Sequence, residues 1–205
     1  MAAVVCHRDE GEELFMTLLV TWSDTGDQAP TVITTDDGEI RRRLDEVGID
    51  LDRWDGVAVA ADASSDDILD AYRSRIDELV EARSFKVVDL AQIRPNGDPD
   101  WPEIASGARA KFLEEHTHAE DEVRFFVRGS GVFYLHIGHQ VHAVRCEAGD
   151  LLSVPAFTTH WFDMGTTPDF AAIRFFENED GWVGRFTGDP IAARFADHDT
   201  LATWG

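Results

Sequence analysis

Three histidines and one glutamate in this chain are spaced to close on a single metal ion. They lie in the run His116-Thr117-His118-Ala119-Glu120-Asp121-Glu122 and, further on, in Val154-Pro155-Ala156-Phe157-Thr158-Thr159-His160. Alternate residues of a strand face the same way, so His116 and His118 present two ring nitrogens side by side. Glu122 follows at an even step, on the same face if the chain stays extended, and His160 comes from a separate strand. Glu120 is the rival carboxylate, also an even step from His118. Three imidazoles and one carboxylate suit a divalent transition ion such as Fe, Ni, Mn, Co or Zn. Four protein ligands fill a tetrahedral ion but leave two positions open on an octahedral one, which separates a structural from a catalytic site. Arg124, two residues past Glu122, shares its strand face and stays protonated in any such site. The competing reading of Arg124 is a surface charge on an edge strand.

These residues need a scaffold of strands. From about Ala110 onward, strand-like runs alternate with tight turns: 121–128, Gly129-Ser130-Gly131, 132–137, Gly138-His139, 140–146, 147–150, 151–155, 158–163, Pro168 and 170–176. Short strands at this regular spacing predict an antiparallel sandwich or barrel. The N-terminal half reads differently, as strands over 16–22 and 31–35 and a helix from Asp36 to about Val47, stopped by Gly48. The cluster Ser64-Ser65-Asp66-Asp67 caps a longer helix reaching about Ala82, with Ile68, Leu69, Tyr72, Ile76, Leu79 and Val80 on its apolar face. Phe85 to Leu90 reads as a strand and Pro95 to Pro102 as a polar loop. Phe125 and Phe126 are adjacent strand residues, so one packs in the barrel and the other under the N-terminal helices.

Composition narrows the function. The chain has 205 residues with 43% apolar side chains, including 13 Phe and 6 Trp. That supports one well-packed domain rather than disorder. With 18 basic against 40 acidic residues the net charge is -22, which argues against a nucleic-acid partner. Cys6 and Cys146 form neither a CxxC pair nor a disulfide framework, and Cys146 reads as a buried thiol. No apolar run approaches the roughly 18–20 residues that span a membrane, and the first 20 residues lack a signal-peptide pattern. A cytoplasmic protein without a membrane or nucleic-acid partner is expected.

The segments His-x-His-x3-Glu-x6-Gly at 116–129 and Gly-x5-Pro-x4-His at 149–160 resemble the two motifs of the cupin superfamily, small β-barrels with a metal at one mouth. Two departures stand out: Phe157 replaces the glycine of the usual Pro-x-Gly, and Met164 replaces an asparagine. A closer resemblance runs through Lys111-Phe112-Leu113-Glu114-Glu115-His116, Val123-Arg124-Phe125-Phe126, His160-Trp161-Phe162-Asp163-Met164-Gly165, Ile173-Arg174, Gly181-Trp182-Val183 and Phe186-Thr187-Gly188-Asp189-Pro190-Ile191-Ala192. These look like the acireductone dioxygenase family of methionine salvage, over about residues 30–195.

The resemblance implies a mainly β fold, a cupin (jelly-roll) barrel flanked by helices. It divides the chain into 16–109 as an α+β wrapping, 110–190 as the barrel and 191–205 as a tail. Residues 1–15 resemble nothing in the family and read as an upstream extension. The resemblance also implies one Fe(II) or Ni(II) per chain held by His116, His118, Glu122 and His160, and this register prefers Glu122 over Glu120. Arg124 would stabilise a dianionic substrate, Glu115 and Asp121 would support the ligands, and Phe112, Phe162, Arg174 and Trp182 would line the pocket. The partners implied are a small-molecule substrate and O2, and the family tends to be monomeric. His136, His139 and His142 read as surface or packing residues, and Arg41-Arg42-Arg43 as solvated surface. Two alternatives remain: another cupin dioxygenase or isomerase, or a non-catalytic metal-holding module.

Overall fold

The structure is a computed structural model that describes residues 16–26, 29–60, 62–179 and 182–204. Cys6, His7, Gly181 and the expected extension 1–15 lie outside the described residues. In chain order the strands are β1 (Leu18–Ser23), β2 (Val32–Thr34), β3 (Asp50–Arg53), β4 (Val87–Ile93), β5 (His116–Thr117), β6 (Glu122–Ile137), β7 (Gln140–Glu147), β8 (Asp150–Val154), β9 (Thr159–Asp163), β10 (Phe170–Phe176) and β11 (Arg185–Phe186). The helices are α1 (Asp37–Asp45), α2 (Ser65–Ala71), α3 (Arg73–Arg83), α4 (Trp101–Ala110) and α5 (His198–Leu201), with a 3-10 turn over Pro190–Arg194.

The strands form two antiparallel layers that share β6. One layer runs β11-β5-β9-β6-β7-β1-β2. The other runs β3-β8-β6-β10-β4. The N-terminal strands are thus hydrogen-bonded into both layers. Between the layers lies an interior of Leu19, Phe126, Phe133, Leu135, Val144, Cys146, Leu152, Val154 and Phe162, closed by Ile40 and Leu44 of α1. The outer face of the second layer packs Val123, Phe125 and Phe175 against Ile68, Tyr72 and Ile76. Phe126 therefore faces the interior and Phe125 lies under α2 and α3, as strand alternation requires. Val132, Tyr134 and Trp161, on the outer face of the first layer, lie under Ile191 and Leu201 of the C-terminal segment.

Four elements differ from the sequence reading. Gly129-Ser130-Gly131 is no turn: β6 continues through it and changes layers. The ladder to β10 skips Val127, a β-bulge that bends the strand. Gly129 sits at φ +69, where a Cβ would come 1.9 Å from the Asp169 carbonyl oxygen. Glycine here marks a close backbone approach inside a strand. The long helix is broken at Tyr72 (φ -99, ψ 8). The Tyr72 hydroxyl accepts from the Val57 amide at 2.9 Å and its ring packs 4.9 Å from Phe125, so tertiary contacts override the helical run. Helix α4 occupies residues read without structure, because Pro102 lies in its first turn, where proline is tolerated, rather than ending it. Strand β3 (Asp-Leu-Asp-Arg) buries only Leu51 and so carries almost no apolar signal.

Candidate metal centre

Residues 116–122 are not one extended strand. β5 ends at Thr117, the chain bends over Ala119 and Glu120, and β6 begins at Glu122. β5 pairs with β9, placing His116 directly opposite His160. The bend carries Glu122 onto the other layer, so His118 and Glu122 meet across the interior. Two bonds fix the turn that precedes His160 against this bend: the Phe157 amide donates to the His118 carbonyl at 2.8 Å, and the Ala156 amide to Asp121 Oδ1 at 2.9 Å.

The turn closes despite the departure at Phe157. The Thr158 amide closes on the Pro155 carbonyl at 3.1 Å, and Phe157, third in the turn, takes φ +64. Glycine is the usual residue there because φ is positive. A side chain in that conformation costs roughly 1–2 kcal/mol, and the Phe157 ring is 66% exposed, so its burial returns little.

One potential ligand atom from each of His116, His118, Glu122 and His160 lies within 4.8 Å of the others, and all four residues are buried. Glu122 Oε2 is 3.1 Å from His118 Nε2 and 3.0 Å from His160 Nε2. The opposite ring nitrogens point at backbone: His116 Nδ1 lies 2.7 Å from the Glu114 carbonyl and His160 Nδ1 2.8 Å from that of Thr158. Such bonds place the proton on Nδ1 and leave Nε2 with a free lone pair for a metal. Among the described residues the His118 Nδ1 forms no well-aligned hydrogen bond, although the Val183 carbonyl acts on its ring. This donor set suits a divalent transition ion.

The charges are arranged around Glu122. Burial pushes its carboxyl upward, but the Arg124 guanidinium and the His118 and His160 rings outweigh burial and hold it well below the usual carboxylate range. Arg124 Nη2 is 2.6 Å from Glu122 Oε1, with both side chains buried. Burial and the neighbouring Arg174 pull Arg124 below its ordinary value, against the pull of Glu122. Burial lowers His116, whereas for His118 the Glu122 contact exceeds the burial penalty and raises it.

The expected pocket residues gather round Arg124. Its guanidinium carbon lies 5.9 Å from the Phe112 ring, 4.7 Å from Phe162 and 5.1 Å from Trp182. Phe133, 5.2 Å away, escaped the sequence reading, although its alternation with Leu135 marks it as inward-facing. Arg174 is directly opposite Arg124 in the ladder and is held by Asp89 at 2.8 and 2.6 Å. Glu120 faces away and accepts the Glu177 and Asn178 amides. Glu115 bonds His136 Nδ1 and the Thr187 hydroxyl, while Asp121 bonds Arg83 and the Ala156 amide, so among the described residues neither carboxylate bonds the ring of a clustered histidine. His142 is buried with Nδ1 3.1 Å from the Thr21 hydroxyl, and His139 is exposed. The carbonyls of Glu114 and Thr158 had no sequence signal, since any residue supplies one.

Comparison with known proteins places this geometry. The model of the ARD/ARD' family matches residues 51–184, a span that contains all four clustered residues and Arg124. The chain belongs to this family. An acireductone dioxygenase of Frankia alni is 55% identical over 91% of this chain and 91% of its own length. Another, of Saccharopolyspora erythraea, is 52% identical over 91% of this chain and 98% of its own. Among solved structures, an acireductone dioxygenase from Bacillus anthracis with a cadmium ion in its active centre superposes with a TM-score of 0.68 at 25% identity. It covers 83% of this chain and 98% of its own. This ARD-family chain therefore has the flanked β-barrel expected of it. No helix among the described residues is long and apolar enough to cross a membrane.

Proposed function

We propose that this chain is an acireductone dioxygenase of methionine salvage, holding one Fe(II) or Ni(II) through His116, His118, Glu122 and His160. The observation that carries it is the convergence of three ring nitrogens and one carboxylate oxygen within 4.8 Å, buried, inside the family-matched span. The substrate is 1,2-dihydroxy-5-(methylthio)pent-1-en-3-one, and the co-substrate is O2. When bound, the metal supplies Lewis acidity and a template for two substrate oxygens.

The chain's own residues do the rest. The Glu114 and Thr158 carbonyls lock the His116 and His160 rings with Nε2 inward. Arg124, buried beside the cluster, offers a fixed positive charge to a dianionic substrate in a site shielded from water, where such a charge counts for most. Phe112, Phe162 and Trp182 form an apolar wall for the methylthio tail around that guanidinium. Arg174, held by Asp89, borders the same wall 5.8 Å from the Trp182 ring. Glu115 and Asp121 support the ligands indirectly, by fixing the segments on either side of them. A monomer working in the cytoplasm completes the proposal.

The test is O2 uptake with synthetic acireductone by protein stripped of metal and reloaded separately with Fe(II) and Ni(II). The Fe form should yield formate and 4-methylthio-2-oxobutanoate, and the Ni form formate, carbon monoxide and 3-(methylthio)propanoate. Metal-loaded protein with no rate above the non-enzymatic oxidation would instead favour another cupin substrate or a metal-holding module.

A further inference from the structure

The outer face of the first layer carries a second group of reactive side chains that takes no part in the metal centre. Ser130 Oγ lies 3.1 Å from His198 Nε2, and His198 Nδ1 lies 3.0 Å from Asp199 Oδ1. A hydroxyl on Nε2 and a carboxylate on Nδ1 is the order in which a serine is activated: the carboxylate fixes the tautomer and the free Nε2 takes the hydroxyl proton.

Each member is held in place. Ser130 stands at the crease of β6, where a Cβ on Gly129 or Gly131 would come within 1.9 Å of the Asp169 carbonyl oxygen or 2.4 Å of the Phe162 ring. The backbone there has little freedom to shift. The His198 amide donates to Asp163 Oδ2 at 3.0 Å, and Asp163 is itself bound by Arg109 at 2.6 and 2.9 Å. Asp199 Oδ2 accepts from the Thr166 hydroxyl at 2.6 Å and its amide at 3.2 Å. Gly165, next in the chain, approaches so closely that a Cβ would lie 2.7 Å from both Asp199 Oδ1 and His198 Nδ1. Burial pushes Asp199 upward, but its bonds to Thr166 and His198 prevail and hold it below the ordinary carboxylate value. Ser130 is partly exposed, and the His198 side chain is 14% exposed, so small reagents can reach them. A cavity of about 570 Å³, lined in part by Trp161, Asp163, Asp197 and Thr200, adjoins the same segment.

We propose that Ser130 is an activated nucleophile and a site of covalent acylation, taking its acyl group from an activated ester-type donor. Ser130 Oγ attacks the acyl carbon and forms a new C–O bond. The bond from that carbon to the leaving oxygen breaks, and the electron pair departs with the leaving group. The hydroxyl proton passes to His198 Nε2, and Asp199 balances the imidazolium. Nothing is oxidised or reduced, and the product is an ester on Ser130.

The probe is p-nitrophenyl acetate, applied to metal-loaded protein, with p-nitrophenolate release followed by absorbance and the acetyl group located by peptide mass mapping. Wild type should acetylate Ser130 stoichiometrically. Ser130→Ala should remove that acetyl, and His198→Gln should slow its formation about 100-fold, the scale of a general base. Asp199→Asn serves as a second variant and should slow it as well, while dioxygenase turnover stays unchanged in all three. A contact that merely docks the C-terminal segment would leave Ser130 unmodified in wild type, or modified equally fast in His198→Gln and Asp199→Asn. Either result overturns the proposal.

Discussion

Two buried carboxylates lie in this molecule in opposite circumstances. Asp163 receives both arms of Arg109 and the amides of His198 and Gly165. Its acceptor capacity is met by N–H donors, and it ties α4, β9 and the C-terminal segment together. Glu122 also meets an arginine, but its other oxygen is approached by two imidazole nitrogens, and a third imidazole stands beside them. Two of these rings, His116 and His160, are oriented by backbone carbonyls on their far side, which turns Nε2 inward as a lone-pair donor for a metal. A closed set of N–H donors marks a structural carboxylate, whereas convergent lone pairs mark a ligand.

That contrast can be broken in several ways. The largest effect is expected from His118→Ala or His160→Ala, which should reduce bound metal to background by elemental analysis and abolish turnover. Asp163→Asn should leave metal content untouched. Arg124→Ala should retain metal yet lose about 100- to 1,000-fold in kcat, the usual scale for removing a preorganised charge. Full activity in that variant would remove Arg124 from its role.

On the structural side, Arg109→Ala leaves Asp163 buried without its cation and should cost about 3 kcal/mol in denaturant unfolding, with metal affinity unchanged. Asp163 also predicts a pH dependence. Burial raises its pKa, but Arg109 and the His198 and Gly165 amides outweigh burial and leave it below the ordinary aspartate value. A depressed folded value means the carboxylate stabilises the fold fully above the unfolded value and loses this as pH falls through the folded one. The Tm gap between wild type and Asp163→Asn should therefore hold constant from neutral pH to about 4 and close below it. The smallest effect is expected at the turn beside the metal cluster. Phe157→Gly relieves a left-handed side chain at some cost in unfolded-chain entropy and should raise stability by about 0.5–1 kcal/mol.

The contrast also explains what the sequence made legible. The ligand set was readable because its chemistry needs particular residue types at fixed steps, and the β-rich C-terminal half was readable from alternation and turns. Asp163 was not, because its partner Arg109 is distant in the chain and on a helix hidden by Pro102. The chain bend between His118 and Glu122 was equally invisible: even spacing suggested a continuous strand, whereas two layers supply the ligands. At Gly129-Ser130-Gly131 the glycines spelled a turn, although they serve a bulged strand crossing between layers. Local composition reports the need for an unusual backbone, but not whether the chain reverses or only bends.

The most direct measurement is anomalous diffraction from crystals of the protein loaded with Fe(II) or Ni(II), collected across the metal absorption edge. One strong peak should lie among Nε2 of His116, His118 and His160 and a Glu122 oxygen, with Arg124 beside it. A peak coordinated through Nδ1, one that leaves out Glu122, or one seated elsewhere would contradict the assignment of this cluster as the catalytic metal centre.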